Sequence, residues 1–177
     1  AGMVTLYGDI NIAFQTQNGD SEEYGFGSGV VLFEDDGEAW SLFASEYGGV
    51  IYELPRLVEG EWLILHVPGW MQGTGNYNAD LLFLREGEDD DWQRIDIESW
   101  REDVIPMLPE GLEIWKGVDF DFGDWFWRSF NARTPLWRQS DANCCATGGW
   151  AEIEFDITDG RLVPVHVYYR PYGDTAQ

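Results

Sequence analysis

The sequence predicts an all-β domain, a hairpin-built sandwich or an incomplete propeller-like array carrying one short helix. Three observations point there. Apolar residues recur mostly with a period of two, the alternation of a strand with one face buried. Acidic or Asp-Gly turns separate these runs at short intervals. Only residues 98–108 carry helical spacing.

Strands are expected first at residues 4–7 and 10–14. Residues 29–33 and 40–43 then flank the acidic turn Glu34-Asp35-Asp36-Gly37 and form a hairpin. Residues 50–53 and 61–67 are strands. Residues 80–84 and 92–95 form a second hairpin around the acidic residues 86–91. In residues 98–108, Trp100, Val104, Met107 and Leu108 share an inner face. Ser99 is the N-cap there, with Glu102 at capping-box spacing, and Pro106 distorts the helix or ends it early. Strands follow at 112–115 and 124–130, the latter with apolar bulk on both faces, as in a central strand. Residues 151–157 and 162–169 close on Asp159-Gly160 as the clearest hairpin. The first two hairpins share an order, with Phe33 and Phe83, and Trp40 and Trp92, recurring at about 50 residues, a hint of blade-like repetition. Gly and Pro are spread throughout, so residues 1–177 read as a single β-rich domain.

Hydrophobic content of 44% and aromatic content of 16% in 177 residues supply a real core and exclude a disordered chain. The charge is lopsided, with 33 acidic against 10 basic residues and a net charge of −23. Phosphate backbones and anionic membrane surfaces are repelled, so nucleic acid is excluded as a partner. No apolar run reaches the ~20 residues of a membrane helix, so no membrane insertion is expected. The opening Ala1-Gly2-Met3-Val4 reads as folded-domain sequence and not as a signal peptide. The scarcity of lysine (Lys116 is the only one) and the aromatic, turn-rich β pattern suit a periplasmic or extracellular protein.

The densest run of chemistry is Asp141-Ala142-Asn143-Cys144-Cys145-Ala146-Thr147-Gly148-Gly149. Its adjacent cysteines form a vicinal disulfide on one reading, and a buried and a surface thiol on the other. Zinc is a poor fit, because adjacent cysteines lack the spacing that turns both sulfurs to one ion. Asp119 and Asp121 lie two apart on one face of an extended segment, and Asp124 follows. They read as a solvated face, as hard oxygen ligands for Ca²⁺, or as an acid–base pair for glycan chemistry. The segment 125–138 carries three tryptophans, with Arg128 and Arg138 as forks for a sugar or an anion, or as neutralisers of nearby carboxylates. Trp70, in the loop expected around Pro68-Gly69-Trp70-Met71, is the better exposed contact residue. His66 and His166 sit among apolar strand residues and read as structural, His166 sharing a face with Leu162, Pro164 and Tyr168. G-x-S-x-G, H-E-x-x-H and P-loop motifs are absent, and no cofactor other than Ca²⁺ is indicated.

From about residue 73 onward the motif order resembles a group of uncharacterised bacterial secreted proteins, distantly like FG-GAP (integrin-type) β-propeller repeats. The likeness rests on Gly73-Thr74-Gly75, Ala79-Asp80-Leu81-Leu82-Phe83, Leu108-Pro109-Glu110-Gly111, Lys116-Gly117-Val118, Thr134-Pro135-Leu136-Trp137 and the Cys-Cys-x-x-Gly-Gly run. It implies an extracytoplasmic β-rich domain and brings no activity with it. The function expected is a non-enzymatic binding module for a protein or glycan, with Trp70, Arg128, Arg138, Asn143, Cys144 and Cys145 as contacts. The alternatives are an acidic inhibitor or immunity-type protein for a cationic partner, and a carboxylate-based glycan-active enzyme. Homo-oligomers through exposed strand edges also stay open.

Overall fold

The computed structural model describes residues 2–5, 11–17, 27–35, 37–59, 62–71, 79–87, 90–121 and 130–173. They build antiparallel sheets and one short helix, the all-β fold expected.

The chain begins as a four-stranded meander of β1 (Gly2–Thr5), β2 (Asn11–Gln17), β3 (Ser28–Asp35) and β4 (Trp40–Gly48). Period-two alternation buries Ile12 and Phe14 of β2 and Val30 and Leu32 of β3. The first hairpin forms as expected, with Asp35 opposite Trp40. A register shift between Leu32 and Phe33 lets Phe43 pack on Phe83, edge to face at 5.6 Å, and on Trp92, stacked at 6.2 Å.

The next strands are β5 (Val50–Tyr52), β6 (Arg56–Glu59), β7 (Leu63–Val67), β8 (Gly69–Met71), β9 (Leu81–Arg85) and β10 (Gln93–Arg94). β5 and β8 pair as a two-stranded ribbon, and the others form a central sheet in the order β10-β9-β7-β6. Ile64, Leu82 and Leu84 of this sheet join one core, with Trp100, Phe130, Ile153 and Phe155. Their alternates Leu65, Val67, Leu81 and Phe83 join a second core, with Ile12, Phe14, Val30 and Leu32. The central sheet therefore lies between the N-terminal meander and the C-terminal elements. Burial on both faces explains why β7 and β9 read as continuous apolar runs instead of alternating ones. The segment expected to be central, 124–130, falls outside the described residues except for buried Phe130. Ion pairs Arg85–Glu34 and Arg94–Glu46 tie the central sheet to the meander.

Beyond β10, Asp96 forms a parallel bridge with Arg161. Its N–H donates to Gly160 O at 2.9 Å, and its carbonyl accepts from Leu162 N at 2.9 Å. Its carboxylate accepts the N–H groups of Glu98 at 2.8 Å and Ser99 at 3.0 Å. These two bonds hold the Asp96 carboxyl below its ordinary range. Ser99 is the N-cap by position, but its side chain makes no capping bond, so Asp96 replaces the expected capping box. Helix α1 (Trp100–Val104) gives way to a 3₁₀ turn (Ile105–Met107) at Pro106, the early ending its missing N–H dictates. Trp100 and Val104 face the core as expected. Met107 is exposed, because the tighter 3₁₀ winding turns it off that face.

The C-terminal part holds β11 (Leu112–Glu113), β12 (Asp119–Asp121), β13 (Phe130–Pro135), β14 (Trp137–Arg138), β15 (Trp150–Thr158) and β16 (Arg161–Arg170). β11 pairs with β14, and the rest form a third sheet in the order β12-β13-β15-β16. Asp159 and Gly160 both take positive φ, 51° and 72°, as the expected two-residue turn requires. Opposite Glu154 and Phe155 the register slips by one residue, so Phe155 faces Pro164 while Glu154 faces His166. Leu162 and Pro164 point inward, whereas His166 and Tyr168 are exposed. This bulge corrects the placement of His166 on the apolar face: the extra residue flips every side chain beyond it. Among the described residues no sheet closes into a barrel, and no helix is long and apolar enough to cross a membrane.

Candidate functional site

Because Phe130, Ala132, Ala151, Ile153 and Phe155 point into the core, their alternates project from the outer face of the third sheet. The register aligns them in rows. Asp119, Arg133, Glu152 and Tyr168 lie opposite one another across four strands. Asp121, Asn131, Glu154 and His166 form the next row, and Pro135, Trp150 and Arg170 a third.

These rows enclose a cleft of about 340 Å³ lined by Asp121, Asn131, Arg133, Trp150, Glu152 and Arg170. The Arg133 guanidinium lies 4.8 Å from the centre of the Trp150 ring, a cation–π contact, and Tyr172 meets the same ring edge to face at 6.5 Å. Arg170 pairs with Glu152 at 3.2 Å. The Tyr168 hydroxyl donates to Glu154 at 3.4 Å, and the His166 ring stacks on Tyr168 at 4.9 Å. The cleft thus combines an aromatic surface with two guanidiniums, two carboxylates and an amide.

The loop between β14 and β15 reaches the same end of the sheet, where it delivers Trp150. Its organiser is Asp141. One carboxylate oxygen accepts the N–H groups of Arg138 and Thr147, each at 2.8 Å, and the other accepts the Thr147 hydroxyl at 2.6 Å. The Arg138 N–H bond first, then the Thr147 hydroxyl, holds the Asp141 carboxyl below its ordinary range. Within this clasp Cys144 and Cys145 are bonded to each other, both exposed, and Cys145 N–H closes a turn onto Ala142 O at 2.9 Å. Gly148 and Gly149 seat the loop against the sheet. Gly148 N–H donates to Leu136 O at 2.8 Å, Leu136 N–H donates to Gly149 O at 2.9 Å, and the Tyr169 hydroxyl donates to Gly148 O at 3.0 Å. Gly149 has φ +101°, and a Cβ there would stand 2.5 Å from Arg170 O, so only glycine fits.

Among the other residues singled out in the sequence, Arg138 is exposed on β14 and Asn143 is exposed in the clasped loop. Trp70 is 38% exposed, as expected, but it sits in β8 opposite Ile51, where the β5 ribbon gives that segment a pairing partner. It does not line the cleft. Asp119 and Asp121 share one exposed face, opposite Arg133 and Asn131. Asp124 and Arg128 lie outside the described residues. Among the described residues no three His, Cys, Asp or Glu side chains are grouped to hold a metal ion. His66 is buried, bonded through Nε2 to Asp80 at 2.7 Å, while Asp80 also accepts the Gly69 N–H at 3.0 Å. Burial, then the nearby Glu46 carboxylate, pushes the Tyr52 hydroxyl up to about 12, and it belongs to the second core.

Trp150, Arg133, Glu152 and Arg170 were not singled out from the sequence. The available signal was the alternation of Trp150, Glu152 and Glu154 against Ala151, Ile153 and Phe155, which already placed them on one outer face. No family model, no curated protein and no solved structure matches this chain.

Proposed function

We propose that this chain is a non-enzymatic binding module acting in the periplasm or outside the cell, with the outer face of the third sheet as its contact surface. The observation that carries this reading is the cleft along Asn131, Arg133, Trp150, Glu152 and Arg170, where an aromatic ring stands among polar groups of both signs. Ligand sites combine apolar surface with a few converging polar groups in this way. Two carboxylates of the face are engaged, Glu152 by Arg170 and Glu154 by Tyr168, which suits these two to ligand positioning better than to proton transfer. An exposed Cys144–Cys145 bond supports an oxidising compartment.

The test is an amide chemical-shift screen of the whole chain against soluble glycans, oligolysine and small polar metabolites. Shifts clustered at residues 131–133, 150–152 and 170, with no ligand turned over, support the reading. Turnover of a glycan by the purified chain, or the absence of any cluster there across the screen, overturns it.

A further inference from the structure

We infer that the ligand of this cleft is a neutral sugar unit of a glycan. The inference rests on the cleft being the contact surface, and it adds the class of ligand. Four observations on that face support it.

The first is charge. The chain carries −23 overall, yet the cleft lining holds two guanidiniums, Arg133 and Arg170, and two carboxylates, Asp121 and Glu152. A phosphate or a polyanion entering there meets the carboxylates, and an amine meets the guanidiniums. A neutral polyhydroxyl ligand uses both, its hydroxyls donating to Asp121 and Glu152 and accepting from Arg133, Arg170 and Asn131.

The second is spacing. Cross-strand neighbours on one sheet face stand about 5 Å apart. The row Asp121–Asn131 and the row Arg133–Glu152 therefore present alternating acceptors and donors on the scale of one sugar ring. The third is the aromatic surface. Trp150 lines the cleft, held by Arg133 at 4.8 Å and Tyr172 at 6.5 Å, so its ring is fixed before any ligand arrives. The C–H faces of a pyranose pack on such a ring while its equatorial hydroxyls reach the surrounding polar groups. The fourth is size, because about 340 Å³ is at the small end of ligand clefts and suits one or two sugar units.

The experiment is a titration of the full chain with neutral hexasaccharides built from glucose, xylose, mannose and N-acetylglucosamine, alongside oligogalacturonate and oligolysine, each at low and high salt. The readouts are amide shifts and calorimetry. We expect at least one neutral oligosaccharide to move residues 131–133, 150–152 and 170, with an affinity that salt leaves within about twofold. Trp150→Ala weakens it at least about tenfold, Trp150→Phe keeps it within about threefold, and Glu152→Gln weakens it several-fold. If Trp150→Ala fails to fold, the Phe and Gln variants carry the test. If oligolysine or oligogalacturonate moves these amides, in a salt-sensitive way, and no neutral sugar does, the ligand class is wrong while the contact surface stands. If none of the probes moves them, this inference falls, and the reading beneath it then rests on the small-molecule arm of the broader screen.

Discussion

Replacing Arg85 by alanine tests whether the central sheet and the N-terminal meander are joined by a buried ion pair. The Arg85 side chain is only 10% exposed, and its partner Glu34 is 22% exposed. Arg85 Nε also donates to Gly87 O at 3.0 Å, and the guanidinium lies 5.7 Å from the Trp92 ring centre. Breaking a fully buried pair costs about 3–5 kcal/mol, because the surviving charge is left uncompensated. Residual solvation of Glu34 trims this to roughly 2 kcal/mol, and the lost Gly87 bond and ring contact add about 1 kcal/mol. A loss of about 3 kcal/mol corresponds to a melting-point drop of roughly 6–12 °C for a chain of this size. Urea unfolding followed by tryptophan fluorescence measures the loss. The Arg85→Met/Glu34→Leu double variant, which removes both charges and keeps volume, is expected within about 1 kcal/mol of wild type. If Arg85→Ala alone falls below about 1 kcal/mol, or the double variant is worse than the single one, the pair does not bear on stability as argued.

Three further outcomes follow from the loop and its anchors. The folded Asp141 carboxyl titrates below its ordinary value near 3.8, so its stabilisation is present above that value and is lost as pH falls through the lower folded one. Exchange protection of the Arg138 and Thr147 amides should therefore persist in the wild type as pH falls to 3.8, collapse only below it, and be weak at every pH in Asp141→Asn. Gly148→Ala would place a Cβ 2.6 Å from Leu136 O and 2.7 Å from Leu112 Cδ2, and should destabilise by about 1–3 kcal/mol in equilibrium unfolding. Alkylation of the native chain before reduction should add no mass, and alkylation after reduction two adducts, as the Cys144–Cys145 bond requires. Two adducts without reduction would refute the bond.

Local chemistry made part of this fold readable. The Asp159-Gly160 hairpin, the end of α1 at Pro106 and the 29–43 hairpin depend on a few adjacent residues, and each forms as expected. The bulge that turns His166 outward depends on how β16 meets β15, and no single residue announces it. Asx chemistry at Asp96 lay within reach, but only the parallel bridge to Arg161 fixes Asp96 where its carboxylate can serve the helix. The site divides along the same line. The Asp141–Gly149 run stands out because its chemistry is contiguous, although Asp141 as its organiser emerges only from the distances to Arg138 and Thr147. The cleft joins side chains from β12, β13, β15 and β16, so it comes into existence only with the register.

The central sheet has a bearing on how this chain can be divided. Cutting away the meander would lay Leu65, Val67, Leu81 and Phe83 open to water, and cutting away the third sheet and helix would do the same for Ile64, Leu82 and Leu84. Either fragment would present a broad sticky surface, the kind that drives self-association. None of the three four-stranded sheets can be borrowed, duplicated or deleted alone. Any excised sheet would need a replacement partner for its bared side, and a recombinant half of this chain is expected to aggregate on expression.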